Sequence, residues 1–399
     1  MKALSFEGSG AEYFKIWIVN ILLTIVTLGL YYPWAKVRNN RYFYANSTLA
    51  ERNFEYHATG KQLFIRYLIA FGLLVTYVVL QNVSPTASLI VFLLFILALP
   101  WIIWRSLKFN LRMTSFSNVR FGFDGKLGGA YLNFLLLPIL FFIAFYSIIL
   151  IGIGVSIFFP DLPVAVKASI SIISAIFFAF LAIYLFAYIK KRNTRYMFNG
   201  YRYGQGHFSS DVEVKPFAKI IFKTIGLATL LFSIFLILVA ILAYSTIGFE
   251  ELIALQQSLG DAEGSEEINA ELASKIFPVF GIFYLGLIIS SFIIIAYSYT
   301  RQRAYILDNS VLDEKITFAS TLKARQFAWV TVSNFILVIC TLGFALPWAK
   351  VRMARLILEN THVDTSIGFD DYVTQKQNEQ SSLGEQIGDA FDVDVGLGF

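Results

Sequence analysis

The sequence predicts an all-α polytopic membrane protein. Six clear transmembrane helices are expected, plus two short helices that either re-enter or span, so six to eight spans in all. Short cytoplasmic β-hairpin-like elements complete the expected fold. Three observations predict it. The chain is 57% hydrophobic with only 15% charged residues, against about 25% charged in an ordinary soluble domain. Its mean hydropathy is +0.65. Its basic residues cluster in short loops between long apolar runs, as cytoplasmic loops do. Clustered in that way, the net charge of +5 is a topology signal, not the footprint of a nucleic-acid partner. The lone cysteine, Cys340, lies in an apolar run and leaves no disulfide to form. Met1 to Gly10 has no basic segment followed by an apolar stretch and cleavage site, so no removable signal peptide is expected.

The first apolar run, Tyr13 to Tyr32, is short, since a span needs about 20 apolar residues. Gly29 fits a helix C-terminal cap and Pro33 the first turn of a new helix. Asn20, Thr24 and Thr27 share one helix face. A basic, aromatic helix follows, with Trp34, Lys36, Arg38, Arg41, Tyr42, Phe43 and Tyr44. The stretch Phe54 to Gly60 reads as a short hairpin.

Runs Leu63 to Leu80 and Leu89 to Trp104 form the first clear pair of spans, and basic residues from Arg105 to Lys126 follow. Leu132 to Phe159 and Val164 to Ile189 form the second pair, followed by Lys190, Lys191, Arg192 and Arg195. Ile220 to Ile247 and Ile276 to Tyr297 form the third. The loop Glu250 to Lys275 carries seven acidic residues against one lysine, and its lack of Lys and Arg places it outside the cytoplasm. The last run, Phe327 to Leu346, begins and ends beside basic residues. A single span cannot do that. Either the first and last runs turn back at Leu28-Gly29 and Leu342-Gly343, leaving both termini cytoplasmic, or both cross. Re-entry is the favoured reading because both runs are short.

The first and last runs are also copies of one another. Pro33-Trp34-Ala35-Lys36-Val37-Arg38 recurs as Pro347-Trp348-Ala349-Lys350-Val351-Arg352. At the same offset of 314, Asn20, Leu23, Thr27, Leu28, Gly29, Arg41 and Asn46 match Asn334, Leu337, Thr341, Leu342, Gly343, Arg355 and Asn360. Residues 20-46 thus repeat as 334-360. A smaller element, an Asn followed by an aromatic, recurs as Asn46/Phe54, Asn118/Phe123, Asn199/Phe208, Asn309/Phe318 and Asn360/Phe369, each after an Arg. These are expected to be cytoplasmic-face hairpins that pair with each other. Residues 1-369 form the membrane domain. Residues 370-399 are acidic and Gly-rich and are expected to be disordered, with Leu383, Ile387 and Phe391 as one weak amphipathic stripe.

The block Phe6-Glu7-Gly8, Glu12-Tyr13-Phe14, PWAKVR and Arg41-Tyr42-Phe43-Tyr44-Ala45-Asn46, with Gly388 to Asp394, resembles the YjgN-like family of bacterial inner-membrane proteins. The likeness covers nearly the whole chain. It implies a multi-pass bacterial inner-membrane location and carries no activity and no catalytic residues.

His57, His207 and His362 share no ligand spacing, and no phosphate loop or nucleophile elbow is present. The reading is of a non-enzyme with no cofactor and no metal. Two function classes remain. In one, a transporter- or channel-like protein lines a cavity with Asn20, Thr27, Gly29, Asn334, Thr341 and Gly343. Its substrate is uncharged, lipidic or anionic, because the spans carry no deep acids. In the other, a non-transporting protein binds anionic lipid headgroups through Trp34, Lys36, Arg38, Arg41, Trp348, Lys350, Arg352 and Arg355 and recruits a cytoplasmic partner. The bilayer is the partner common to both.

Overall fold

A computed structural model describes residues 1–248, 270–365 and 368–392. Most of the acidic loop from Glu250 therefore lies outside the described residues, as do the side chains of Leu383, Ile387 and Phe391. The described chain divides into two compact units. Met1–Ala218, Gln302–Leu322 and Ile336–Phe399 form one, and Lys219–Arg301 with Lys323–Phe335 forms the other.

Among the described residues, six helices are long and apolar enough to cross a membrane. They are α3 (Gly60–Val83), α4 (Pro85–Arg112), a helix running through α5 (Leu127–Tyr131), a π-helical turn (Leu132–Leu136) and α6 (Leu137–Phe158), then α7 (Val164–Phe198), α8 (Val214–Ile247) and α9 (Ala270–Asp308). Four shorter helices join them: α1 (Gly10–Val26), α2 (Tyr32–Ala45), α10 (Ala324–Cys340) and α11 (Leu346–Glu359). The spanning helices follow from long apolar runs. Ser9 caps α1 and Thr59 caps α3 through reciprocal capping boxes with Glu12 and Gln62.

The first unit contains a closed strand ring, where the sequence reading expects only short hairpins that pair with each other. Five strand pairs join in a single antiparallel sheet of eleven strands. The strands are β1 (Lys2–Ala3), β2 (Ser5–Phe6), β3 (Ser47–Leu49), β4 (Arg52–Tyr56), β5 (Thr114–Phe116), β6 (Val119–Phe123), β7 (Tyr201–Tyr203), β8 (Gly206–Ser210), β9 (Ser310–Leu312), β10 (Ile316–Ser320) and β11 (Thr361–Val363). The two strands at the ends of the sheet, β1 and β2, belong to one continuous segment broken only at Leu4. Ala3 pairs with His362 and Phe6 with Ser47, while the Leu4 N–H donates to the Thr361 carbonyl at 2.9 Å. The segment Lys2–Phe6 therefore closes the sheet into a ring. Its partner in the fifth hairpin is β11, from the other end of the chain.

The ring has fivefold internal regularity. The residue after each second strand donates its N–H to the residue just before the next first strand. These bonds are Glu7 to Asn46 (2.9 Å), His57 to Met113 (2.7 Å), Asp124 to Gly200 (2.8 Å), Asp211 to Asn309 (3.0 Å) and Thr321 to Asn360 (3.1 Å). Apart from the C-terminal helix that follows β11, the helices that enter or leave the ring do so at this one rim. The recurring Asn residues serve it: Asn46, Asn309 and Asn360 each donate their side-chain amide to the carbonyl four residues earlier, at 2.8 Å, and so cap the incoming helix. In the second copy that position is Met113, not Asn118, which sits in the β5–β6 turn.

A second correction concerns the tail. Where the sequence reads as a disordered tail, Phe369–Asp392 forms α12, whose first turns pack on the ring, and residues 393–399 lie outside the described residues. Phe369 belongs to this helix, and the fifth aromatic-position residue is Leu4.

In the second unit, aromatic contacts join α8, α9 and the first part of α10. Phe235 stacks on Phe283 at 5.9 Å, Phe292 meets Phe335 at 5.1 Å and Tyr299 meets Phe327 at 4.9 Å.

Candidate ligand cavity and its stopper

A three-residue strand ends on the same face it begins on. The last residues of the five first strands, Leu49, Phe116, Tyr203, Leu312 and Val363, all face the inside of the ring. The third residues of the five second strands, Leu4, Phe54, Phe121, Phe208 and Phe318, form another inward layer. Together they line a cavity of about 200 Å³, with Thr361 beside otherwise apolar and aromatic side chains. Such a space is ample for a small apolar molecule, since an engineered apolar cavity of about 150 Å³ stays dry and binds benzene. The Tyr203 hydroxyl is held away from it, donating to the Phe116 carbonyl at 3.0 Å, and burial raises that phenol's pKa.

At the rim, Phe54 and Phe121 also line a second cavity of about 270 Å³, with Tyr44, Leu107, Asn110, Leu111, Thr114 and Tyr201. These two phenylalanines are thus shared by both spaces.

At the hairpin-turn end, α12 acts as a stopper. Phe369, Tyr372 and Val373 complete the apolar lining. Outside them lies a polar latch. Asp313, in the β9–β10 turn, accepts from the His207 N–H (2.7 Å), the Tyr372 hydroxyl (2.8 Å) and the Lys376 ammonium (3.3 Å). Lys376 is 7% exposed and also pairs with Glu379 at 3.1 Å. Burial pushes the Asp313 pKa up, but these three donors outweigh it and hold the carboxyl below its usual value. Gln377 donates to the Ser117 carbonyl at 2.6 Å, Arg120 N–H donates to Gln380 at 3.0 Å, and Arg52 pairs with Asp370 at 3.0 Å.

The residues expected to line a cavity do other work. Asn20 is 3% exposed and donates to Asn39 at 3.1 Å. Thr27 and Thr341 each donate to the carbonyl four residues back at 2.7 Å, and accept from the N–H of Tyr31 and Ala345 respectively. Gly29 and Gly343 take φ of 92° and 93°, after Leu28 and Leu342 at 51° and 49°. The two copies of the motif therefore make the same left-handed helix stop. Asn334 is buried. None of the six lines either cavity described above.

The basic-aromatic residues divide. Arg41 donates to the Ala58 carbonyl and Arg355 to the Gly8 carbonyl, both at 3.0 Å. Arg195 does the same to Val212 at 3.1 Å, and Trp104 takes that role in the second copy, donating to Gly125 at 2.6 Å. Arg41 and Arg355 are thus hairpin anchors. Lys36, Arg38, Lys350 and Arg352 stay exposed. Trp34 lies on Gly60 and Trp348 on Gly10, where an added Cβ would come within 2.2 Å of the indole. Only glycine lets these rings close onto the starts of α3 and α1.

No cluster of three or more metal-ligating side chains occurs among the described residues. The family of bacterial proteins of unknown function DUF898 matches residues 1–390. The Salmonella typhimurium inner membrane protein YjgN is 30% identical over 366 residues, covering 90% of this chain and 88% of its own. The Escherichia coli O157:H7 and K12 proteins of the same name are each 27% identical, covering 95% of this chain and 92% of theirs. No solved structure matches.

Proposed function

This chain belongs to the DUF898 family and is a multi-pass protein of the bacterial inner membrane, and from that premise we propose a transport-type protein for a lipidic or other uncharged substrate, whose strand ring receives the substrate's apolar part. The apolar cavity closed by α12 carries this reading. A charged group placed there would find no partner, and burying an unpaired charge is costly. Phe54 and Phe121, which line both chambers, stand where a substrate would pass from the helix rim to the ring interior, and α12 closes the far end.

The rim also supports six spans. The chain leaves it after Glu7 and returns at Asn46, with only α1 and α2 between. At about 1.5 Å per residue, the 17 residues of α1 reach about 25 Å. Leu28 and Leu342, at the two stops, are 93% and 90% exposed, as lipid-immersed tips would be. The first and last runs are then re-entrant, and the ring and both termini are cytoplasmic. On a Cys340→Ser background, a cysteine at Lys2 stays unlabelled by an impermeant thiol reagent in intact cells. Labelling there would overturn the six-span reading.

The functional reading is tested with purified full-length protein and a benzene-class probe. Binding raises the thermal midpoint, and Leu312→Trp abolishes that rise by filling the cavity. No rise in the unmodified protein, or an equal rise in the variant, rejects it. A second reading, a non-transporting protein that holds anionic lipid and recruits a partner, is favoured by the exposed Lys36, Arg38, Lys350 and Arg352 beside half-exposed Trp34 and Trp348.

A further inference from the structure

We propose that Arg66 and Arg105 form a phosphate-binding site between α3 and α4, on the face of α4 that looks away from the ring cavities. The Arg66 guanidinium carbon sits over the Phe109 ring, 3.7 Å from its centroid. One turn earlier on the same face of α4, the Arg105 guanidinium sits 5.5 Å from the Trp101 centroid. Trp101, Arg105 and Phe109 follow one another at four-residue intervals, which makes a single stripe along the helix. Arg105 is near enough to act electrostatically on Arg66.

Two like charges side by side repel unless an anion lies between them. Neither guanidinium has a hydrogen bond or an ion-pair partner among the described residues. A cation over an aromatic face spends none of its N–H groups on a hydrogen bond, so those of both guanidinia stay available. A free planar fork suits bidentate recognition of phosphate oxygens. Lys108, whose ammonium is 4.1 Å from the Trp104 centroid, adds a further positive charge one turn along. The cavity residues Leu107 and Leu111 fall on the opposite side of α4 at 100° per residue. This site is therefore independent of the proposed ring function. Its position, where apolar helix gives way to basic and aromatic side chains, is the level of lipid headgroups. The ligand chemistry is a phosphate group, carried by an anionic phospholipid or free in solution.

The test uses full-length protein in nanodiscs of phosphatidylcholine with or without phosphatidylglycerol, and native mass spectrometry of the lipid it retains. The unmodified protein retains phosphatidylglycerol in preference to phosphatidylcholine. R66Q/R105Q loses that preference, with affinity lower on the order of thirtyfold. R66K/R105K keeps the charge without the fork and recovers only part of it. It also serves where the glutamine pair does not fold. If inorganic phosphate displaces the lipid and binds with the same dependence on both arginines, the site stands with free phosphate as its ligand. Equal lipid preference in the unmodified protein and in both variants overturns the site. The benzene-class probe response is unaffected by these variants, so failure here leaves the ring reading intact.

Discussion

Four of the ring's hairpins are made of contiguous chain, and the fifth is made of the two ends. In β3–β4, β5–β6, β7–β8 and β9–β10 the strands are joined by tight turns, and in Ala50-Glu51 and Ser117-Asn118 both central residues take positive φ. Both residues of such a turn twist in the sense that two-residue hairpins require. In the fifth, β11 meets Lys2–Phe6 across more than 350 positions of sequence. The hydrogen-bond pattern at the rim is nevertheless the same. A local turn and a long-range closure thus reach one geometry, and they differ in what holds them together. The local pairs are held by the turn. The terminal pair relies on its ladder and on Arg355.

That contrast can be broken most sharply at Leu4. Leu4→Pro removes the N–H that reaches Thr361, and with it the ladder hydrogen bond that joins the two ends of the ring. The expected result is a large drop in thermal midpoint and in monodisperse yield from detergent. An unchanged midpoint would mean that closure does not hold the ring. Arg355→Gln removes the charged donor to Gly8, and about 2 kcal/mol is expected for a charge-assisted bond of this kind. Arg41→Gln removes the equivalent bond inside a contiguous hairpin and should cost less. Equal losses in chemical denaturation would erase the distinction drawn here.

Asp313→Asn weakens the stopper by about 1 to 2 kcal/mol, read as faster proteolysis within α12. The pH dependence has a fixed sign. Asp313 has a folded pKa below its usual 3.8, so its contribution is full above that value and is lost only as pH falls through the lowered one. Proteolysis of α12 should stay flat from neutral pH down to 3.8. Release beginning near pH 6 would assign the latch to another group. The smallest effects are expected at Gly29→Ala and Gly343→Ala. Each puts a side chain into left-handed backbone, at about 1 kcal/mol. Matching losses would show that the two helix stops are energetically as well as geometrically equivalent.

The helices were legible in the sequence because lipid, not protein, covers them. In α3 none of the apolar window is buried within the molecule, so hydrophobicity alone reveals it. The helix stops were legible too, since Gly29 and Gly343 stand where only glycine takes φ near 90° without strain. The ring was only half visible. Phe54, Phe208 and Phe318 stand at true third-strand positions, but Phe121 and Leu4 fill the places expected of Phe123 and Phe369. The reason is physical. Strands of three to five residues carry little alternation, and their turns lack the usual Asn-Gly signal. A fifth pair formed from both termini also has no local spacing to find. The tail misled in another way: its acidic composition resembles that of a solvated coil, while Tyr372, Val373 and Lys376 dock on turns that sequence alone does not bring together.

Ring closure also sets an order of events during synthesis. Lys2–Phe6 leaves the ribosome long before β11. At roughly 5 to 20 residues per second, the wait between them is on the order of 20 to 70 s. Through that interval Lys2 and Ala3 present a strand edge with no partner, while helix pairs enter the bilayer one after another. An edge of two residues, one of them a lysine, is a poor template for joining a neighbouring nascent chain. The brevity of β1 thus protects a half-built molecule, and maturation ends only when the last-made strand reaches the first.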